Sequence, residues 1–304
     1  MENMVKVKQL LDSLFNIIEL DRDPGFSRFI PQVYDPIKVD WTQYFEADFS
    51  KRFNGLMMKG SDQMNTVFLA VFPTDQVLES FINEASEGDL LFLHHPLVME
   101  CGDPRGEWGR GFVPIRKSLL QSLKDKKLSV YTCHTPLDYH LEISTNMAIA
   151  NVMNALVIDR FIYEEGKSIG LICDVEPIDT AGLIKKLESI FEIPYVDFEG
   201  EQHNFIDRIA IVAGCGDKVA FMREAESFGV QAYVTGEIHC HIDNDYGRAK
   251  YKQMMDYVPE STMSLIGVSH SASEYMVMQT QMKNWFTDKM DVNVRLLPQH
   301  KWWL

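Results

Sequence analysis

Residues 66–96 read TVFLAVFPTDQVLESFINEASEGDLLFLHHP, a strand, a helix and a second strand in succession. Thr66 to Val71 is an unbroken apolar run, Asp75 follows a short turn, and Gln76 to Glu87 places Val77, Phe81, Ile82 and Ala85 at helical spacing. Leu90 to Leu93 is a second apolar run, and it stops at His94-His95-Pro96. Short apolar strands separated by one helix argue for parallel pairing in an α/β sheet, where functional side chains collect at the carboxyl ends of strands. Adjacent residues on a strand point to opposite faces, so His94 and His95 reach one site only where Pro96 breaks the strand. Taken alone, the pair has a plainer reading as a helix cap or a core hydrogen bond. Other segments of the chain weigh against it.

The same plan recurs in the second half. Ile209 to Ala213 is a strand, Asp217 follows Gly214-Cys215-Gly216, Lys218 to Phe228 is a helix with Val219, Met222 and Ala225 inward, and Ala232-Tyr233-Val234 is a strand stopping at Thr235-Gly236-Glu237. Each unit then continues through a helical segment into another apolar strand, Leu128 to Cys133 before His134 and Ser264 to Val268 before His270. The expected fold is α/β, with duplicated β-α-β-α-β units forming two related lobes. The first half, 1–152, carries the His-His-Pro and His-Thr-Pro-Leu-Asp motifs, and the second, 153–304, carries Thr-Gly-Glu and His-Ser-Ala-Ser-Glu. Between them the pattern predicts a helix over 146–156, a strand over 168–173 and a helix over 180–191. The tail reads as a helix from Glu274 to about Asp288, a strand from Val292 to Leu297, and a terminal Trp302-Trp303-Leu304 that packs on its own or a neighbouring subunit.

Composition narrows the function classes. A net charge of −15 on 304 residues opposes binding to nucleic-acid phosphates, which needs clustered Lys and Arg. Five cysteines, odd in number and without a CxxC pair, give a disulfide framework or zinc ribbon little support, and a reduced, cytoplasmic setting is expected. Met1 to Leu20 reads as an amphipathic helix interrupted by Lys6, Lys8, Asp12 and Glu19, not as a signal peptide, and no apolar run is long enough for a membrane helix.

Histidine and carboxylate recur together at the strand ends. His134 and Asp138 are four residues apart, as are His270 and Glu274, a spacing that puts both side chains on one face of a helix. Either pair alone has the common reading of a helix-start cap; the two pairs together with His94-His95 point to ligands for a divalent ion. In Thr235-Gly236-Glu237-Ile238-His239-Cys240-His241, Glu237 or His239 has the chemistry of a base toward a metal-bound water, and an equally weighted reading makes this stretch a surface helix start. Gly214-Cys215-Gly216 lacks the spacing of a phosphate loop and reads as a simple turn. The loop from Arg105 to Gly111, with two arginines and Trp108, has the groups to clamp a planar anion such as a nucleotide, although an ordinary exposed loop is the stronger reading.

The order of His94-His95-Pro96-Leu97, His134-Thr135-x-Leu137-Asp138, Thr235-Gly236-Glu237 and Gly267-x-x-His270-x-x-x-Glu274 resembles the Nif-three-like family, whose members are often labelled GTP cyclohydrolase 1 type 2 homologues. The resemblance runs from about Asn54 to Glu274. It implies one family unit, with two divalent ions (Zn, Mn or Fe) in a dinuclear site between the lobes, assembled as a homohexamer. By motif position His94, His95, Asp138, His270 and Glu274 correspond to the metal ligands, Asp138 and Glu274 bridging, while His134 stands beside the ions. The implied activity is metal-dependent hydrolysis of a nucleotide or related small molecule, with Glu237 or His239 moving protons; the alternative is a non-catalytic metal-binding scaffold. The family pattern has Asn where this chain has Pro136, and Asp-Asn-x-Gly-Leu where it reads Arg52-Phe53-Asn54-Gly55-Leu56. These departures bear on substrate choice and leave the ligands in place. The interval from Asp138 to Ile209 is too short for the extra domain that some relatives insert.

Overall fold

The computed structural model describes residues 1–17, 23, 25–164 and 166–303. It divides into two compact units, each built from three pieces of chain: Met1–Met99, Phe112–His140 and Met278–His300 in one, Glu100–Gly111, Leu141–Val277 and Lys301–Leu304 in the other.

The first unit is organised on a five-stranded sheet in the order Asn293–Leu296, Thr66–Ala70, Leu90–Leu93, Ser129–Thr132, Gly55–Met58. The first four strands are parallel and the last is antiparallel. The central strands are buried at every position from Val67 to Ala70 and from Leu90 to Leu93, as expected for a parallel sheet covered on both faces. The covering helix Asp75–Glu84 is capped by Thr74, which accepts from the Val77 amide, and buries Val77, Leu78, Phe81 and Ile82. It ends three residues before the sequence pattern does, because Ala85 turns to extended backbone. Phe92 lies between Phe15, Tyr131 and Phe286, with ring centroids 6.4, 5.8 and 5.8 Å away, and is wholly buried. Phe92→Ala is expected to cost about 3–5 kcal/mol of this unit's stability, read by urea unfolding; a loss below about 1 kcal/mol would mean that the neighbouring rings collapse into the space.

The second unit has a six-stranded mixed sheet, ordered Asp197–Gly200, Ser264–Gly267, Ala232–Thr235, Ile206–Val212, Lys167–Ile178, Leu156–Glu164. Its three middle strands from Ser264–Gly267 to Ile206–Val212 are parallel, and the outer pairings are antiparallel. The expected helix over 146–156 is Thr145–Met153: Asn154 takes a left-handed conformation (φ +54) that ends it, and Leu156 opens a strand instead. The apolar run Leu156-Val157-Ile158 carries both periods in the sequence, and pairing with Lys167–Ile178 decides in favour of the strand. The helix Thr180–Phe191 has the expected bounds. At the N-terminus the helix is Met4–Leu14, capped by Asn3; residues 18–20 of the expected helix, and Leu304 at the other end, lie outside the described residues. Among the described residues no helix is long and apolar enough to cross a membrane.

Candidate metal centre

In each unit a parallel ladder brings donor side chains to one sheet edge. In the first, Ala70, Leu93 and Thr132 lie side by side on adjacent strands, so His95 and His134 continue from equivalent positions. Donor atoms of His94, His95 and His134 all lie within 4.8 Å of one another. Hydrogen bonds fix the tautomers of His94 and His134, and stacking holds the plane of His95. His94 Nδ1 donates to the Cys133 carbonyl at 2.8 Å, which leaves Nε2 as the ring's lone pair in the neutral form, 3.6 Å from Asp138 Oδ1. His95 is stacked on Phe72 at 4.2 Å between centroids. His134 Nδ1 donates to Asp23 Oδ1 at 2.9 Å, its amide donates to Asn54 Oδ1 at 2.6 Å, and its ring meets the edges or faces of Phe26 and Phe53.

Asp23 is the buried anchor of this arrangement. Besides His134 it accepts from Asn54 Nδ2 at 2.7 Å, from the Thr135 amide at 3.2 Å and from the Thr135 hydroxyl. Burial pushes its carboxyl upward, but His134 and these donors outweigh that and hold it below the usual carboxylate range.

In the second unit Val212, Thr235 and Gly267 are aligned, and the three parallel strands feed Gly214-Cys215-Gly216, Gly236-Glu237 and Ser269-His270 respectively. Ser269 adopts a left-handed backbone (φ +77) at the entry of the helix His270–Val277, and its hydroxyl accepts from the Ala272 amide. His270 Nε2 faces Glu274 Oε1 at 3.0 Å along that helix, while Nδ1 is hydrogen-bonded to Glu237 Oε1. Cys215 Sγ lies 3.5 Å and Cys101 Sγ 3.7 Å from the same Nδ1, and the donor atoms of Cys101, Cys215, Glu237 and His270 all lie within 4.8 Å of one another. Gly214 is required for this closeness: a Cβ there would stand 2.4 Å from Glu274 Oε1, on a backbone with φ +66. Burial would lower the His270 pKa, but Glu274, Cys215 and Glu237 beside it hold it well above the usual imidazole range. A divalent cation bound there would neutralise the Glu237 and Glu274 carboxylates.

Both donor sets, imidazole with carboxylate and imidazole with carboxylate and thiol, suit a borderline divalent ion. A family model described as Duf34/NIF3 (NGG1p interacting factor 3) matches residues 43–301. The chain belongs to this family. The chain is 31% identical to the GTP cyclohydrolase 1 type 2 homolog of Archaeoglobus fulgidus over 188 residues, 60% of this chain and 69% of that protein. It is 26% identical to the protein of the same description from Pyrococcus abyssi, over 77% of this chain and 84% of the other. Among solved structures, protein ybgI, described as of unknown function, aligns over 99% of this chain and 100% of its own with a TM-score of 0.67 at 17% identity. A Bacillus cereus protein described as related to NIF3 aligns over 99% and 98% with a TM-score of 0.61 at 12% identity. Both structural likenesses show the fold.

In this Duf34/NIF3 chain the structure brings His94, His95, His134 and Asp138 together in one unit and Glu237, His270 and Glu274 in the other. His239 is placed differently. Its Nδ1 donates to Asp197 Oδ2 at 2.6 Å, its Nε2 is 3.4 Å from Glu199, and its ring packs on Tyr251. In the Arg105–Gly111 stretch, Arg105 lies over the Tyr195 ring at 3.3 Å, Arg110 pairs with Glu100, and Trp108 stacks on His241 at 4.9 Å. Sequence reading missed Asp23, Cys101 and Cys215. Two signals were present: the Gly-Cys-Gly triplet directly after a strand, and the Arg52-Phe53-Asn54-Gly55 motif, whose Phe53 (φ +64) and Gly55 (φ +97) turn the backbone so that Asn54 meets both Asp23 and His134.

Proposed function

We propose that this chain is a metal-dependent hydrolase of a nucleotide or related small molecule, binding two divalent ions (zinc, manganese or iron) through His94, His95, Asp138, His270 and Glu274. One observation carries the reading. In each unit a histidine at a strand end has its Nδ1 engaged, by the Cys133 carbonyl or by Glu237, and its Nε2 turned toward a carboxylate, Asp138 or Glu274. That is how proteins orient imidazole for ligation. The repeated arrangement, at the ends of three parallel strands in each unit, also supports a duplicated β-α-β-α-β architecture. The name carried by the Archaeoglobus and Pyrococcus relatives supports a nucleotide as the substrate class. The homohexamer and cytoplasmic setting implied by the resemblance belong to the same proposal.

Bound ions would supply a polarised water as nucleophile at neutral pH. Asp138 and Glu274 hold negative charge beside the imidazoles, as two cations require. Glu237 keeps the His270 ring in one orientation and is the group placed to take and return a proton there; His239, paired with Asp197 and Glu199, is the other candidate for proton transfer.

The test is elemental analysis of protein purified without chelator, followed by a screen of nucleotides and phosphoesters. About two ions per chain are expected at these five ligands, with turnover that Glu237→Gln reduces at least about 100-fold while those two ions remain. Ions without turnover on any substrate, and Glu237→Gln without effect, would leave the scaffold reading standing.

A further inference from the structure

The Cys101–Cys215–Glu237–His270 group is more than the orienting shell of His270. We propose that it is itself a binding site for one thiophilic divalent ion of the zinc class, held by two thiolates, the Glu237 carboxylate and His270 Nδ1. This goes beyond the hydrolase reading, which uses the other nitrogen of His270 and no sulfur; with both nitrogens bound, the ring is an imidazolate shared by two ions and its proton passes to solvent.

The distances carry the proposal. A tetrahedral zinc ion with metal–sulfur bonds of about 2.3 Å and a metal–nitrogen bond of about 2.05 Å sets sulfur and nitrogen about 3.6 Å apart, and sulfur and carboxylate oxygen about 3.5 Å apart. The edges here are 3.5 Å from Cys215 Sγ to His270 Nδ1, 3.7 Å from Cys101 Sγ to the same nitrogen, and 3.7 Å from Cys215 Sγ to Glu237 Oε1. The His270–Glu237 edge is shorter, as a hydrogen-bonded pair. An incoming cation displaces the protons of the two thiols and of the His270–Glu237 hydrogen bond to solvent, and the edge opens to bonding length.

The frame around the donors is rigid. The Gly214-Cys215-Gly216 turn is tied down at both glycines: the Gly214 amide donates to Ser273 Oγ at 2.9 Å, the Gly216 amide donates to Thr235 Oγ1 at 3.1 Å, and the Tyr233 hydroxyl donates to the Gly216 carbonyl at 3.0 Å. The Glu237 amide donates to the Gly214 carbonyl at 3.0 Å, which links the two donor loops directly. Cys101, Glu237 and His270 are buried and Cys215 is exposed, so three donors are out of water and the fourth opens an entry path. Two sulfurs in the set favour zinc, cobalt or iron over magnesium or manganese.

The probe is Co²⁺, loaded into the full-length chain after chelation and read by near-ultraviolet thiolate-to-cobalt charge transfer together with cobalt content. Wild type is expected to show the charge-transfer band. Glu274→Ala should keep the band while losing cobalt from the imidazole–carboxylate ligands, and Cys101→Ser/Cys215→Ser should lose at least nine-tenths of the band while retaining the other ions. Failure of this site and failure of the hydrolase ligands are thereby read separately. Absence of the band in cobalt-loaded wild type, or its persistence in the double serine variant, overturns the proposal. A wild-type measurement covers the case in which the serine variant does not fold. Cys215 is the one exposed cysteine of the five, so Zn²⁺ should slow its reaction with a thiol reagent at least tenfold; an unchanged rate overturns the site.

Discussion

Glu274→Ala is expected to take the ion content at the imidazole–carboxylate ligands from about two per chain to one or fewer, to weaken the remaining affinity there by more than about 100-fold, and to carry turnover down with it. The size follows from what Glu274 faces. It sits one helical turn from His270 on the helix His270–Val277, 3.0 Å from Nε2, in a place that no residue other than glycine at position 214 would leave open. Replacing a group that only orients a metal-bound histidine typically costs 10- to 100-fold in affinity, and a carboxylate that itself binds the ion costs more. Elemental analysis gives the ion content and competition with a chelator gives the affinity. An alanine variant that keeps both ions and its turnover would remove Glu274 from the ligand set, and with it the strongest support for reading His270 as its partner.

The strands that position these residues were readable because their signal is local and strong. Leu90 to Leu93, Ser129 to Thr132, Ala232 to Thr235 and Ser264 to Gly267 are short, buried runs, and each is followed within three residues by a donor side chain. His94, His95, His134, Glu237 and His270 lie within three residues of those ends, so a reading of period and punctuation finds them. Asp23 and Cys101 have no such marker. Asp23 stands more than a hundred residues from His134 in sequence, and Cys101 sits in the strand Val98–Gly102 with no neighbouring cysteine in sequence. Their roles depend on long-range pairing, which composition and spacing do not encode. Cys215 is an intermediate case: the flanking glycines announce a tight turn, but only the parallel register of Val212, Thr235 and Gly267 puts its sulfur beside His270. The same limit applies to His239, whose place among Asp197, Glu199 and Tyr251 is set by the antiparallel strand Asp197–Gly200, absent from the sequence reading.

Asp23→Ala is expected to destabilise the metal-free first unit by about 3–5 kcal/mol at pH 7, because it removes a buried carboxylate shared by four donors. The wild-type carboxylate has no exposed side-chain surface and accepts from four groups: His134 Nδ1, Asn54 Nδ2, and the amide and hydroxyl of Thr135. Alanine leaves all four donors buried without that acceptor, and each unsatisfied group carries its own desolvation cost. The effect has a direction with pH. Because the folded carboxyl is held below the unfolded value of about 3.9, its contribution is complete above that value and is lost as pH falls through the lower folded one. The gap between wild type and Asp23→Ala, measured by urea unfolding in chelator, should therefore be widest at neutral pH and shrink under strongly acid conditions. Asp23→Asn, which keeps the shape but turns an amide toward donors, should fall between the two and show a flatter acid limb. A gap below about 1 kcal/mol at pH 7, or one that grows on acidification, would mean that Asp23 does not anchor His134, and that the tautomer presenting His134 Nε2 to His94 and His95 is set by another contact.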